Sequence, residues 1–158
     1  MSGMLVNGAL FQIFWFACVI NNGQWLALAS VLLFVLIWRH RTLLSRYIKQ
    51  GMPLLFGFGF DWLMFKFEFY HFSDGNLPNW LVVLWLGFAV YWLGVLPILL
   101  RLSRGWFYLL IGAAGVTSYF AAQALHSVSF THSIISTLSL VLLQWLAIAW
   151  FARRLACR

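Results

Sequence analysis

The 158-residue chain is 64% hydrophobic and 8% charged, with ten Lys and Arg against three Asp and Glu and a formal net charge of +7. A soluble core of this length cannot hide so much apolar surface, and a mean hydropathy of +0.91 puts the chain in the membrane class. The same charge on a soluble protein would speak for nucleic acid. Here the basic residues lie between apolar runs, so orientation in a bilayer explains them, membrane lipids are the expected partners and no nucleic acid is.

Six apolar runs are predicted as helices, at about 4–20, 24–38, 53–72, 80–100, 106–126 and 133–151, by the length a bilayer requires. They make one integral membrane domain over residues 1–158: an all-α, polytopic bundle of six transmembrane helices. The first run has no basic n-region or A-x-A site, so it is read as retained rather than as a signal peptide. It ends at the turn signal Asn21-Asn22-Gly23. The second is short for a span and is followed by a basic loop from Arg39 to Lys49. Ser73–Asn79, with Gly75 and Pro78, reads as a polar turn, Arg101–Arg104 as a second basic connection, and Ser127–His132 as a loop. Cys18 and Cys157 fall on opposite sides of the membrane in this arrangement, so no disulfide joins them.

Alternate loops hold nine of the ten basic residues, Lys66 being the exception. That asymmetry predicts both termini in the cytoplasm. Trp25, Trp38, Trp80, Trp106 and Trp150 fall near predicted helix ends, where an interfacial aromatic belt belongs. A faint internal echo accompanies the pattern: Leu44-Ser45-Arg46 and Leu102-Ser103-Arg104, Gly57 and Gly115, and Phe72-Ser73 and Phe130-Thr131 are all 58 positions apart. Helices three and five therefore read as candidate same-direction repeats.

The third run, Pro53–Phe72, carries the chemistry. It contains Asp61 near its middle, with Lys66, Glu68 and His71 further on. A carboxyl at mid-bilayer costs about 2.5–3.5 kcal/mol on insertion scales, so Asp61 is expected to face protein or a cavity. On a continuous helix Glu68 would follow about 10 Å along nearly the same face, whereas Lys66 would lie about 140° round. Asp61 is then either a proton-linked or ligand-binding group or a polar packing residue satisfied by Asn7, Gln12, Ser118 or Tyr119. Lys66 and Glu68, near the outer end, can simply snorkel. Gly112, Gly115, Tyr119, Ala122 and His126 fall on one side of helix five, where small residues allow close helix approach.

His71, His126 and His132 map to the outer face, near Glu68 and Asp74. No pair has the i,i+4 spacing of helical ligands, so no metal and no cofactor are expected there; a quinone or lipid headgroup is the alternative. No phosphate-cradling loop, nucleophile elbow or paired-cysteine motif is present.

The opening Asn7-Gly8-Ala9-Leu10-Phe11-Gln12, continued by Trp15-Phe16-Ala17-Cys18-Val19, resembles an uncharacterised bacterial inner-membrane family, domain-of-unknown-function family 2878, whose members begin N-x3-F-Q-x2-W-F-x-C-V. The resemblance extends over essentially the whole chain. Asp61 matches an Asp in that family's third helix, and Gly112, Gly115, Ser118 and Tyr119 match its Gly/Ser/Tyr-rich fifth. In helix four, where a polar His-Ser pair is expected, this chain has Tyr91-Trp92, which puts any role for that pair in doubt. The resemblance implies a Gram-negative inner membrane and the company of enzymes that modify membrane fatty acids under oxidative stress. It carries over no catalytic residue.

Three functions fit these residues. The leading one is a non-catalytic accessory or lipid-binding protein that assists membrane-lipid modification or envelope stress defence, with a membrane or lipid-modifying enzyme as partner. The second is a small proton-coupled transporter or flippase using Asp61, and the third an integral-membrane enzyme acting on a lipid or quinone. The polar-core candidates are Asn7, Gln12, Asp61, Glu68, Ser118 and Tyr119, and the outer-face candidates His71, His126 and His132.

Overall fold

Inside a bilayer every backbone N–H and C=O must find its partner within the protein, and apolar segments meet that demand as helices. The computed structural model of the chain describes residues 2–73 and 75–156, and Asp74 and Cys157 lie outside that set. Six helices follow one another: α1 Ser2–Val19, α2 Leu26–Tyr47, α3 Met52–Lys66, α4 Asn79–Leu99, α5 Arg104–Ala124 and α6 Ile134–Ala156. Short 3-10 turns at Ile20–Gly23 and Ile48–Gly51 lead into α2 and α3. Two short strands, β1 Tyr70–His71 and β2 Ser129–Phe130, pair antiparallel, with Tyr70 opposite Phe130 and His71 opposite Ser129.

The expectation of six spans narrows. Four helical segments, Leu26–Leu43, Asn79–Leu99, Arg104–Ala124 and Ile134–Ala156, are long and apolar enough to cross a membrane, and Val6–Val19 is a shorter apolar helix. The chain is therefore a multi-pass membrane protein with four candidate spans. Helix α3, at 15 residues, rises only about 22 Å, against a hydrocarbon core of about 30 Å.

Three expected helix ends move: α6 runs on past residue 151 to Ala156, and the other two each move for a local reason. The second helix does not stop at Trp38: it runs on through Arg39, His40 and Arg41 to Tyr47. Nothing in that stretch breaks a helix, and charge alone does not. The third helix stops at Lys66, because Phe67 caps it and Glu68 turns into the left-handed region at φ 59°. Glu68 is therefore exposed beyond the helix end and shares no face with Asp61. His126 likewise lies past the end of α5, at φ 58°. Trp25, Trp38, Trp106 and Trp150 are exposed near helix ends, as a belt requires, but Trp80 is only 5% exposed and packs edge-on against Phe72.

The faint echo acquires a backbone counterpart. Three hydrogen bonds close α3, from Phe67 N to Leu63 O, Glu68 N to Phe65 O and Phe69 N to Met64 O. Three more close α5, from Leu125 N to Ala121 O, His126 N to Gln123 O and Ser127 N to Ala122 O. Each bond in the second set is the first displaced by the same 58 positions that separate Asp61 from Tyr119. Gly57 and Gly115 are also equivalent: a Cβ at either would overlap an indole, that of Trp85 at Gly57 and that of Trp145 at Gly115. Only glycine lets the tryptophan of the neighbouring helix reach so close.

Helices α1, α2 and α4 pack on one another, as do α5 and α6, while α3 sits against both α4 and α6. The buried core runs through Phe14, Cys18, Leu96, Phe107, Val141 and Ile148. Ser127 ties the two sides at one end by donating its hydroxyl to the Val19 carbonyl.

Candidate functional site

Helix α3 turns Pro53, Leu54, Gly57, Asp61 and Met64 inward, the i, i+3, i+4 pattern of one buried face. Asp61 is 0% exposed. Such a carboxyl needs donors, and three other helices supply them. Tyr119 of α5 donates its hydroxyl to both carboxyl oxygens, at 2.6 Å to Oδ1 and 2.5 Å to Oδ2. Trp85 of α4 donates its indole N–H to Oδ2 at 2.8 Å. Gln144 of α6 donates through Nε2 to Oδ1 at 3.2 Å, and also to the Gly57 carbonyl at 2.8 Å.

One carboxyl thus joins α3, α4, α5 and α6. All three partners are neutral and all three donate, which suits an ionised, acceptor-only carboxylate. They stabilise a charge without cancelling it. Lys66, the one basic residue in α3, instead lies over the Trp62 ring, 5.7 Å from its centroid, with both side chains on the exposed surface.

Asp61 is also in the wall of a cavity of about 90 Å³. Residues of α1, α3, α4, α5 and α6 line the cavity, together with Tyr70, Phe72 and Val128 from the segments around the strand pair. Its lining is mostly aromatic: Trp15, Trp80, Trp85, Phe88, Tyr119 and Trp145 all contribute. Trp85 stacks on Trp145 with centroids 6.1 Å apart, and Tyr70 on Tyr119 at 5.7 Å. The Tyr70 hydroxyl and the Trp145 indole N–H are buried without a hydrogen-bond partner among the described residues. None of the described lining residues is Lys, Arg or His.

The structure thus gathers Asp61, Ser118 and Tyr119 around one cavity and leaves the other candidates outside it. Gln12 is exposed on α1, and Asn7 accepts a hydrogen bond from Arg39 Nε at 2.5 Å. His71, His126 and His132 are exposed; His71 sits in the strand pair and His132 against the Phe69 ring at 4.3 Å. Among the described residues no three His, Cys, Asp or Glu side chains gather as metal ligands would.

Trp85 and Gln144 escape the sequence reading. Gln144 had a signal, as a lone amide in the apolar stretch Leu142-Leu143-Gln144-Trp145-Leu146. Trp85 had none, because a tryptophan in an apolar helix is equally at home in core or lipid. A second cavity, of about 220 Å³, lies at the other end of α4 between Asn7, His40, Tyr91 and Gly94. His40 is 4% exposed there, and its Nε2 has no partner among the described residues.

A family model described as a protein of unknown function, DUF2878, matches residues 4–151. No curated protein and no solved structure matches the chain.

Proposed function

The chain belongs to the DUF2878 family, and on that footing we propose that it is a non-catalytic, lipid-binding protein of the bacterial inner membrane which takes a small headgroup into the Asp61 cavity. The observation that carries this reading is the cavity itself, about 90 Å³ of mostly aromatic lining that reaches one buried carboxylate. A small headgroup fits that space, and the acyl chain of a bound lipid would remain in the bilayer. The oxygens of Asp61 are engaged by three donors, an arrangement better suited to holding a charge in place than to repeated proton transfer. The protein would then present or sequester a lipid for a lipid-modifying enzyme in the same membrane. The basic residues of alternate loops support a cytoplasmic placement of both termini with the strand pair outside, an arrangement in which α1 and α3 cross as well.

The experiment is native mass spectrometry of protein purified in mild detergent. The parent is expected to retain a lipid that Ala122→Phe, which fills the cavity, loses while keeping its helical circular dichroism. Identical lipid retention by both proteins would contradict the reading. A transporter using Asp61 is the second reading, because the carboxyl reaches a cavity. Flux in proteoliposomes separates the two: a transporter moves its ligand in response to an imposed pH gradient, and a binding protein does not.

A further inference from the structure

The cavity at Asp61 has a chemistry narrower than its size. Nine of its sixteen lining residues are aromatic, its one charged lining residue is an acid, and no basic side chain is among its described lining residues. The carboxylate's own partners, Trp85, Tyr119 and Gln144, are neutral. An anion entering would meet like charge in a medium of low dielectric, where repulsion is strong. A neutral apolar group would find the aromatic walls but nothing to engage the charge. An organic cation satisfies both features: it is attracted to the ring faces and to the negative charge behind them, and its apolar periphery tolerates a site with little water.

We propose that the cavity is an aromatic cage for an alkylammonium group, with Asp61 as the anion that selects it. This rests on the preceding reading that the cavity binds a ligand, and it names that ligand's class. Trp85 has two parts in the cage. Its N–H fixes the Asp61 carboxylate while its ring, stacked on Trp145, forms part of the wall. Tyr119, from α5, combines the same functions, its hydroxyl on Asp61 and its ring stacked on Tyr70. The acid is thereby held against the cage while its oxygens stay occupied, so the cation is drawn by field and by π-contact rather than by a direct ion-pair bond. The ammonium can come from a lipid headgroup or from a free organic cation, which share this chemistry.

The test uses the full chain in nanodiscs of phosphatidylglycerol, which carries no ammonium. Calorimetric titration compares choline with 3,3-dimethylbutan-1-ol, its uncharged carbon isostere, and with decyltrimethylammonium. Over protein-free nanodiscs, at least one of the two cations is expected to bind at least about tenfold more tightly than the alcohol. Binding of both choline and decyltrimethylammonium points to a free cation as ligand, and binding of decyltrimethylammonium alone to a lipid headgroup. Asp61→Asn is expected to reduce the preference to within about twofold, and Ala122→Phe to abolish binding of every probe. Because the cation-to-alcohol ratio is read on the parent protein, it decides the matter even if Asp61→Asn fails to fold. A parent that binds alcohol and cation equally, or neither, overturns the cation cage. If lipid retention still responds to Ala122→Phe in that case, the lipid-binding reading stands without it. If retention does not respond, both fall.

Discussion

Two segments of this molecule, α3 with β1 and α5 with β2, share their backbone endings but not their chemistry. Both helices stop with the same three hydrogen bonds, both then place a residue in the left-handed region, and both carry a glycine against a tryptophan of another helix. At the equivalent inward position α3 has Asp61 and α5 has Tyr119, and these two touch each other. His71 likewise pairs across the strands with Ser129, its counterpart at the same displacement. Two pairs of residues 58 positions apart thus meet each other. The lesson is that a repeated frame can bring two positions face to face and then let them diverge. Two acids at that point would repel in a buried site, whereas an acid and a phenol make a short charge-assisted hydrogen bond.

The largest way to break this comparison is Asp61→Leu. It would leave the donors of Trp85 and Tyr119 without an acceptor, at about 1–3 kcal/mol for each buried group, while Gln144 keeps the Gly57 carbonyl. Folded yield in detergent and unfolding in mixed micelles are expected to fall sharply, and a variant as stable as the parent would show that the carboxyl is not central to the bundle. Next come the paired glycines. Gly57→Ala and Gly115→Ala each push a Cβ into an indole and are expected to destabilise by about 1–3 kcal/mol, in similar measure. Gly59→Ala, with no atom near its Cβ, should be neutral or mildly stabilising because alanine is the better helix former. A large effect at only one of the paired glycines would end the equivalence.

An effect of similar size is expected from Tyr119→Phe, which keeps the ring and removes one hydroxyl, at about 1.5–3 kcal/mol for a bond to a charged group. The smallest change has the opposite sign. Glu68→Gly and His126→Gly relieve left-handed residues at φ 59° and 58° and are expected to stabilise by up to about 1 kcal/mol each. Orientation has its own check: cysteine at Ser129 should react with an impermeant reagent in intact cells and cysteine at Ser103 should not, the reverse pattern contradicting a cytoplasmic N-terminus.

Much of the bundle is legible in the chain because bilayer burial writes it in bulk hydrophobicity. Helices α4, α5 and α6 lie close to their apolar runs, and the inward turn of Asp61 follows from the cost of leaving a carboxyl in lipid. Boundaries set by finer terms are less visible. The end of α3 is hidden because Phe67, Phe69, Tyr70 and Phe72 carry the aromatic run on past Lys66 with no Gly or Pro to mark the stop. Its alternation of buried Tyr70, exposed His71 and buried Phe72 is the strand signal, and it spans too few residues to compete with a twenty-residue run. The length of α2 is hidden for the converse reason: Arg39 to Tyr47 looks like a loop by charge, although its residues favour helix. At the site, Tyr119 stands out as a polar group in a small-residue helix. Trp85 does not, because its role depends on which way one indole N–H points, a property of packing that no spacing encodes.

The claim at the centre of this account is that the Asp61 carboxyl is held by Tyr119, its counterpart in the repeated frame. A double-mutant cycle tests it most directly, with unfolding free energies measured in mixed micelles for the parent, Asp61→Asn, Tyr119→Phe and the double variant. The account predicts a coupling of about 1–3 kcal/mol, since residues in one buried hydrogen-bond network do not behave additively. Single-variant effects that sum to the double within about 0.3–0.5 kcal/mol would contradict it.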